Sequence, residues 1–119
     1  MPEHRRLEVT EVGDVTVVRF VDRKILDVTN IQEMGEELFA LIERDQRKSI
    51  LLNFSNVEFL SSAALNKLVS LERKLRGRAG QMALCSLTST VKDVFTITRL
   101  ENLFAIYDTE SAALQALAN

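Results

Sequence analysis

Two adjacent serines, Ser61 and Ser62, stand where a loop leads into a helix, and a hydroxyl at that point could carry a phosphate. The apolar run at residues 50–54 is typical of a buried strand, and the spacing of Leu65, Leu68 and Leu75 predicts a helix after the serines. The first N–H groups of a helix lack intrahelical partners, and the helix dipole is positive there. A phosphate on either hydroxyl would therefore be stabilised by the helix.

Helix capping is the simpler interpretation of the same pair. Serine is a common residue at the N-cap position, and its loss typically costs about 1 kcal/mol. One serine is sufficient for a cap, and a neighbouring serine followed by two alanines adds little to it. The motif taken alone therefore favours a structural role, and its surroundings must supply the case for a switch.

Little else in the sequence could do chemistry. His4 is the only histidine and Cys85 the only cysteine, which is too few for a zinc site or for a nucleophile held beside a histidine. Gly77 and Gly80 follow a predicted helix rather than opening one, so they form no phosphate-binding loop. Carboxylates lie mostly on predicted helix surfaces, and no acid–base pair stands out. We therefore expect no enzyme activity, no cofactor and no metal.

Composition predicts a single globular domain over residues 1–119, with residues 1–6 disordered or loosely attached. The 15 basic and 17 acidic residues give a net charge of −2, so there is no electrostatic case for binding nucleic acid or an anionic membrane. No apolar run approaches the roughly 20 residues needed to span a bilayer. We expect a cytoplasmic protein in which Cys85 is a small buried residue of the core.

Strands and helices alternate along the chain after an initial hairpin. Residues 7–12 alternate apolar and polar side chains, Gly13-Asp14 suits a tight turn, and residues 15–21 are rich in β-branched residues. Later strands are predicted at residues 50–54, 82–85 and 104–107. The order ββαβαβαβα indicates an α/β fold, a mixed and mostly parallel sheet with an N-terminal hairpin and about four helices.

Helix boundaries follow from capping residues and glycines. Residues 22–28 form a predicted charged loop before the first helix. The second helix is expected over residues 62–76, with Gly77 just beyond its end. Other residues that could cap helices are Thr29 (with Gln32 in capping-box spacing), Ser89 or Thr90, and Thr109.

The surroundings of the serines resemble a known family. Residues 51–65 read Leu-Leu-Asn-Phe-Ser-Asn-Val-Glu-Phe-Leu-Ser-Ser-Ala-Ala-Leu, and residues 98–108 read Thr-Arg-Leu-Glu-Asn-Leu-Phe-Ala-Ile-Tyr-Asp. With Leu26-Asp27 before the first helix, these segments resemble the STAS family, the domain of bacterial anti-sigma factor antagonists and sulfate transporter tails. In that family the strand is followed by Val-x-Phe-[Ile/Met] and Asp-Ser-[Ser/Thr]-Gly-Leu. The similarity spans essentially the whole chain.

The resemblance implies a partner-switching regulator. In that family a serine kinase that is also an anti-sigma factor phosphorylates the serine at the helix start, and the dephosphorylated antagonist binds the kinase and frees the sigma factor. By position, Ser62 takes the phosphoacceptor slot and Leu60 the apolar slot. Ser61 takes the Asp slot, Ala63 the Ser/Thr slot and Ala64 the Gly slot.

The same resemblance predicts a partner-binding surface at this corner, made with the loop at residues 22–27. Its expected residues are Asp27, Leu60, Ser61, Ser62, Ala63, Asn66 and Lys67. The expected partner is a serine-kinase anti-sigma factor or another protein that binds STAS domains, and a homodimer stays open. For Asn66 and Lys67, a merely solvated turn is an equally good interpretation.

Two departures from the family pattern keep alternatives open. Ser61 replaces the family Asp, and Ala64 replaces the family Gly. Phosphorylation of Ser62, phosphorylation of Ser61 instead, and a STAS scaffold that assembles with other proteins without a phosphate cycle all remain hypotheses. A small nucleotide- or ligand-binding protein or enzyme is a further alternative, and no motif supports it.

Overall fold

The computed structural model describes residues 6–118, which form a five-stranded sheet with helices on both faces. The strands are β1 (Leu7–Val12), β2 (Val15–Phe20), β3 (Lys24–Ile25), β4 (Ser49–Asn53), β5 (Phe59–Leu60), β6 (Gln81–Cys85) and β7 (Ala105–Tyr107). The helices are α1 (Val28–Glu43), α2 (Ser62–Gly77), α3 (Ser89–Ile97) and α4 (Glu110–Leu117).

The main sheet has the order β1-β2-β4-β6-β7. β1 and β2 are antiparallel and joined through Gly13, whose φ is 61°, whereas every other neighbouring pair of this sheet is parallel. Parallel neighbours require long crossover connections, and α1, α2 and α3 supply them. The predicted hairpin and mostly parallel sheet are therefore confirmed.

Both faces of the central strand β4 are buried, as its uninterrupted apolar run predicts. Ile50 and Leu52 pack under α1, α2 and α3, whereas Leu51 packs with Ala113 of α4 on the other face. Side chains alternate between the two faces along a strand, so a strand covered on both sides cannot alternate apolar with polar residues. Cys85 is likewise fully buried, which confirms its predicted place in the core.

A second, two-stranded sheet was not predicted. β3 pairs in parallel with β5, with Lys24 opposite Phe59 and Ile25 opposite Leu60. The segment at residues 22–28, predicted as a loop, therefore contains a strand. Two-residue strands carry too little periodicity to be recognised in a sequence, and only the folded chain brings these two segments side by side.

Two helices begin earlier than predicted. The carboxylate of Asp27 accepts the Asn30 N–H at 2.8 Å and caps α1, so the predicted cap at Thr29 is wrong. The hydroxyl of Thr88 accepts the Val91 N–H and caps α3, so the predicted caps at Ser89 and Thr90 are wrong too. Runs of adjacent capping residues make the starting residue ambiguous, and backbone conformation selects among them. Thr109 caps α4 as predicted.

The end of α2 also differs from the prediction. Gly77 is the last residue of the helix rather than the residue beyond it, and Arg78 is the C-cap. The left-handed position that usually favours glycine is occupied by Ala79, whose φ is 63°. Gly80 is needed for another reason, since a Cβ there would lie 2.6 Å from the Lys48 carbonyl oxygen.

Residues 1–5, including His4, lie outside the described residues. Arg6, predicted as part of a loosely attached end, is instead held by its side chain to Asp22 at 3.0 Å and to Glu33 at 2.9 Å. The hydrogen bond to Glu33 is the largest of the contacts that raise the pKa of the Arg6 guanidinium. Within residues 6–118, none of the helices is long and apolar enough to cross a membrane.

Candidate functional site

The two serines at the start of α2 have different environments. The Ser61 hydroxyl accepts the Ala64 N–H at 3.1 Å, and the Ser61 N–H donates to the Ile25 carbonyl at 3.1 Å. Ser61 is thus a half-buried N-cap tied to β3. Ser62 is the first residue of the helix and is exposed, and its hydroxyl forms no hydrogen bond with the described residues. The structure therefore separates a capping serine from a free one.

The small sheet holds the loop before α1 against the loop before α2. The Glu58 N–H donates to the Arg23 carbonyl at 2.7 Å, and the Ser61 N–H continues the same ladder at Ile25. Arg23 and Glu58 also form an ion pair across this junction. Parallel strands end at the same edge, so the starts of α1 and α2 lie beside each other. The predicted neighbours, the 22–27 loop and the serines, are brought together in this way.

Leu60 and Asp27, both expected to contact a partner, each have a structural role at this site. Leu60 is only 5% exposed and packs in the core, so its predicted place on the surface is wrong. Position 60 lies opposite Ile25, which is also buried, and this pair anchors the junction under the serines. Asp27 is exposed, and its carboxylate already caps α1. Both residues position the site.

Three large apolar side chains that were not predicted lie exposed around the serines. Leu26 is 51% exposed, Val28 78% and Phe59 43%. They belong to the two segments that the small sheet joins, one directly before α1 and the other directly before α2. Large exposed apolar side chains in neighbouring segments are a common feature of interaction sites. A sequence signal existed, since Leu26 and Val28 interrupt a charged segment, yet their exposure depends on the tertiary fold.

Ala63, Asn66 and Lys67 are all exposed, as a contact role requires. Asn66 follows Ser62 by one helical turn and shares its side of the helix. The side chain of Lys67 lies against Gly35 of α1, where an added Cβ on Gly35 would be 2.8 Å from the Cδ atom of Lys67. Ala63 and Val28 line a common cavity of about 410 Å³ between the two helices.

The electrostatics of the corner suit an anion. The first turn of α2 contains no acidic residue, and the unpaired N–H groups at a helix start give that end a partial positive charge. Lys24 lies 5.8 Å from the centre of the Phe59 ring and adds a positive charge beside the apolar surface. A hydroxyl at this point can therefore carry a negatively charged group that the helix stabilises.

Other reactive groups lie away from the corner. Burial raises the pKa of the Cys85 thiol, which disfavours the thiolate needed of a nucleophile. Within residues 6–118, no three His, Cys, Asp or Glu side chains are grouped to hold a metal ion. The free hydroxyl of Ser62 is thus the chemically distinctive group of this corner.

Comparisons with known proteins agree with this geometry. The sequence profile of the STAS domain matches residues 6–113. The anti-sigma F factor antagonist of Paenibacillus polymyxa is 29% identical over 115 residues, which is 94% of each chain. An anti-sigma-factor antagonist (STAS) domain protein from Planctomyces limnophilus superposes with a TM-score of 0.82 at 26% identity over 93% of this chain and 96% of the other. An anti-sigma factor antagonist from Mycobacterium paratuberculosis has the same fold, with a TM-score of 0.84 at 24% identity over 95% and 93%.

Proposed function

Since this chain belongs to the STAS domain family, we propose that it is an anti-sigma factor antagonist that binds a serine-kinase anti-sigma factor and is released by phosphorylation of Ser62. The anti-sigma factor antagonists to which it is similar support the general regulatory role. The partner, the phosphate cycle and a cytoplasmic location, where sigma factors act, are parts of the proposal. Its role is to bind and be modified rather than to catalyse.

One observation carries the proposal: the hydroxyl of Ser62 is exposed and unengaged, whereas that of Ser61 is used in capping. A kinase must reach the acceptor oxygen, and the Ser61 hydroxyl is half-buried and already accepts the Ala64 N–H. Ser62 can be modified without disturbing that cap. This difference favours Ser62 over the alternative acceptor Ser61.

The two departures from the family pattern are compatible with this role. The family Asp and Ser61 share the N-cap position, and serine caps about as well as aspartate. Ala64 lies in the first turn of α2 and is fully buried, so the methyl group in place of the family Gly is accommodated within the core. Without a carboxylate at position 61, a phosphate on Ser62 also escapes repulsion from its preceding neighbour.

The switch follows from the surface that surrounds Ser62. A phosphoserine carries roughly −1.5 to −2 charges at neutral pH, and the helix start would stabilise them within the free protein. In the complex, Leu26, Val28 and Phe59 would be covered by the partner and water would be excluded from the corner. Burying such a charge without a partner group costs several kcal/mol, so the phosphorylated chain would dissociate.

The decisive experiment incubates the full chain with ATP and a candidate kinase-type anti-sigma factor from the same organism, and follows intact mass. We expect the mass of one phosphate to be added to the native chain and to Ser61→Asp, which keeps the cap. Ser62→Ala should stay unmodified. Modification of Ser62→Ala, or none of the native chain while binding persists, would contradict the phosphate switch.

A second variant distinguishes the alternative of a STAS scaffold without a phosphate cycle. Ser62→Asp introduces a permanent negative charge at the corner, and under the proposal it should weaken kinase binding sharply. If the chain assembles with other proteins independently of phosphate, the same variant should bind as the native chain does. Isothermal titration of both chains against the same partner measures the difference.

A further inference from the structure

A cavity between the β1–β2 hairpin and the end of α4 lies far from the serine corner. Its volume is about 450 Å³, and we name it the hairpin–α4 cavity; its lining includes Val12, Asp14, Val15, Leu114 and Leu117. β2 runs from this turn towards the loop that leads into β3, so the turn and the serines lie at opposite ends of the sheet. α4 also packs on the sheet face opposite to α2. The cavity therefore shares no residue with the surface of the proposed switch.

The cavity has apolar walls because α4 leaves part of its sheet face uncovered. α4 packs mainly over β4, β6 and β7. Val12 and Val15 are cross-strand partners whose side chains share this face. Val15 is buried in the cluster that Leu114 and Leu117 join, whereas Val12 is 42% exposed. An apolar side chain entering the cavity would cover Val12 and continue this cluster.

Two features make the cavity electrostatically negative. Asp14 is the one charged residue among the described residues that line it, and its exposed carboxylate has no ion-pair or hydrogen-bond partner within residues 6–118. The last carbonyl groups of a helix lack intrahelical partners and carry partial negative charge, and the last turn of α4 contains no basic residue. Arg47 and Lys48, which precede β4 beside the turn, do not line the cavity. Arg47 pairs with Glu11 at 3.3 Å, and Lys48 donates to the Arg78 carbonyl.

We propose that the hairpin–α4 cavity binds a segment of a partner protein that places a basic side chain beside an apolar one. The apolar side chain would cover Val12, and the cation would pair with the Asp14 carboxylate beside the end of α4. Charge complementarity favours this segment over an acidic one, which would meet two negative groups. It also favours it over a purely apolar one, which would desolvate Asp14 without supplying a partner. The exposed rim at Val12 and Gly13 leaves room for a continuous chain to cross the cavity.

A peptide titration tests the inference without any kinase. The probe is the blocked peptide acetyl-Ala-Leu-Lys-Leu-Ala-amide, added to the full ¹⁵N-labelled chain and followed by NMR. Matched peptides carry norleucine or glutamate in place of the lysine. We expect saturable shifts of amide signals at residues 12–15 and 114–118. The norleucine peptide keeps the aliphatic part and lacks the charge, so it should bind about threefold to fivefold more weakly, the scale of an exposed ion pair. The glutamate peptide should bind more weakly still.

Asp14→Asn tests the charge, since asparagine suits the same turn as aspartate. It should weaken binding of the lysine peptide about threefold to fivefold and leave binding of the norleucine peptide unchanged. Asp93→Asn, an equal charge change at an exposed position of α3, should alter neither. Val12→Thr keeps the β-branched shape of the strand residue and should weaken both peptides by the same factor.

Three results would overturn the proposal: no saturable shifts in the native chain, equal affinity for the lysine and norleucine peptides, or unchanged affinity of Asp14→Asn for the lysine peptide. Shifts of the same amides that depend on the concentration of the chain alone would assign the cavity to a second copy and would overturn it too. None of these results bears on phosphorylation of Ser62, which is measured separately by mass.

Discussion

Alanine substitution should separate the two serines, because only one of them stabilises the helix. Ser61→Ala leaves the Ala64 N–H without the hydroxyl that accepts it at 3.1 Å, and we expect the free energy of unfolding to fall by about 1 kcal/mol. Ser62→Ala removes an exposed hydroxyl with no intramolecular hydrogen bond among the described residues. Its expected effect on the free energy of unfolding is less than about 0.5 kcal/mol.

Thermal and urea unfolding followed by circular dichroism measure both values. For a chain of 119 residues, a loss of 1 kcal/mol lowers the Tm by roughly 3–5 °C. Ser61→Asp is the matched control, since a carboxylate caps as well as a hydroxyl and is favoured by the helix dipole. Ser62→Asp should even raise the free energy of unfolding, by about 0.3–1 kcal/mol, while it weakens partner binding.

Ser62→Asp is expected to raise the free energy of unfolding and to lower the affinity for the partner, and this combination makes the reasoning testable. A variant that is at least as stable as the native chain cannot lose its partner through unfolding, so weaker binding would report on the surface alone. Equal destabilisation by the two alanine substitutions, or a larger loss for Ser62→Ala, would refute the assignment of the cap to Ser61 and of the free hydroxyl to Ser62.

Three further predictions concern the rest of the fold. Gly77→Ala should raise the free energy of unfolding by about 0.5–1 kcal/mol, because Gly77 lies in a helix and nothing is within 4 Å of the new Cβ. Ala79→Gly should raise it by up to about 1 kcal/mol, because glycine tolerates the φ of 63° at this position. Urea titrations measure both changes. The pKa of Glu43 is lowered, chiefly by its hydrogen bond with Lys74. This pair should therefore stabilise the fold above the unfolded pKa of about 4.3, and the stabilisation should be lost as the pH falls through the folded pKa. Unfolding of Glu43→Gln and of the native chain between pH 7 and 3 checks the sign. Cys85, buried and with a raised pKa, should react with iodoacetamide only after unfolding, as intact mass can show.

Periodicity was sufficient to predict the main architecture. The doubly buried strand β4 and the helices flanking it carry apolar residues in patterns that follow directly from which faces are covered. Helix starts were predicted less well, since Asp27 and Thr88 each precede other residues able to cap, and backbone conformation decides among neighbours. The sequence also gave no reason to expect Ala79 in a left-handed conformation close to two glycines.

The candidate site shows the same division. The serine motif marked the start of α2 from sequence alone, because capping chemistry and the following apolar spacing are local properties. The Ser61 hydroxyl is used in the cap, and the backbone N–H of Ser61 is also held by the Ile25 carbonyl, a contact between segments far apart in the chain. The exposure of Leu26, Val28 and Phe59 has the same origin.

By itself, the sequence determined the α/β order, the hairpin, the buried strands and the position of the serine pair, since each depends on propensities and periodicities of neighbouring residues. Only the tertiary structure decided that Leu60 is buried, that Ser62 is free and that Lys67 packs over Gly35. Exposure and pairing are properties of contacts between distant segments. The short parallel sheet, which buries Leu60 opposite Ile25, leaves no pattern in either of its two segments.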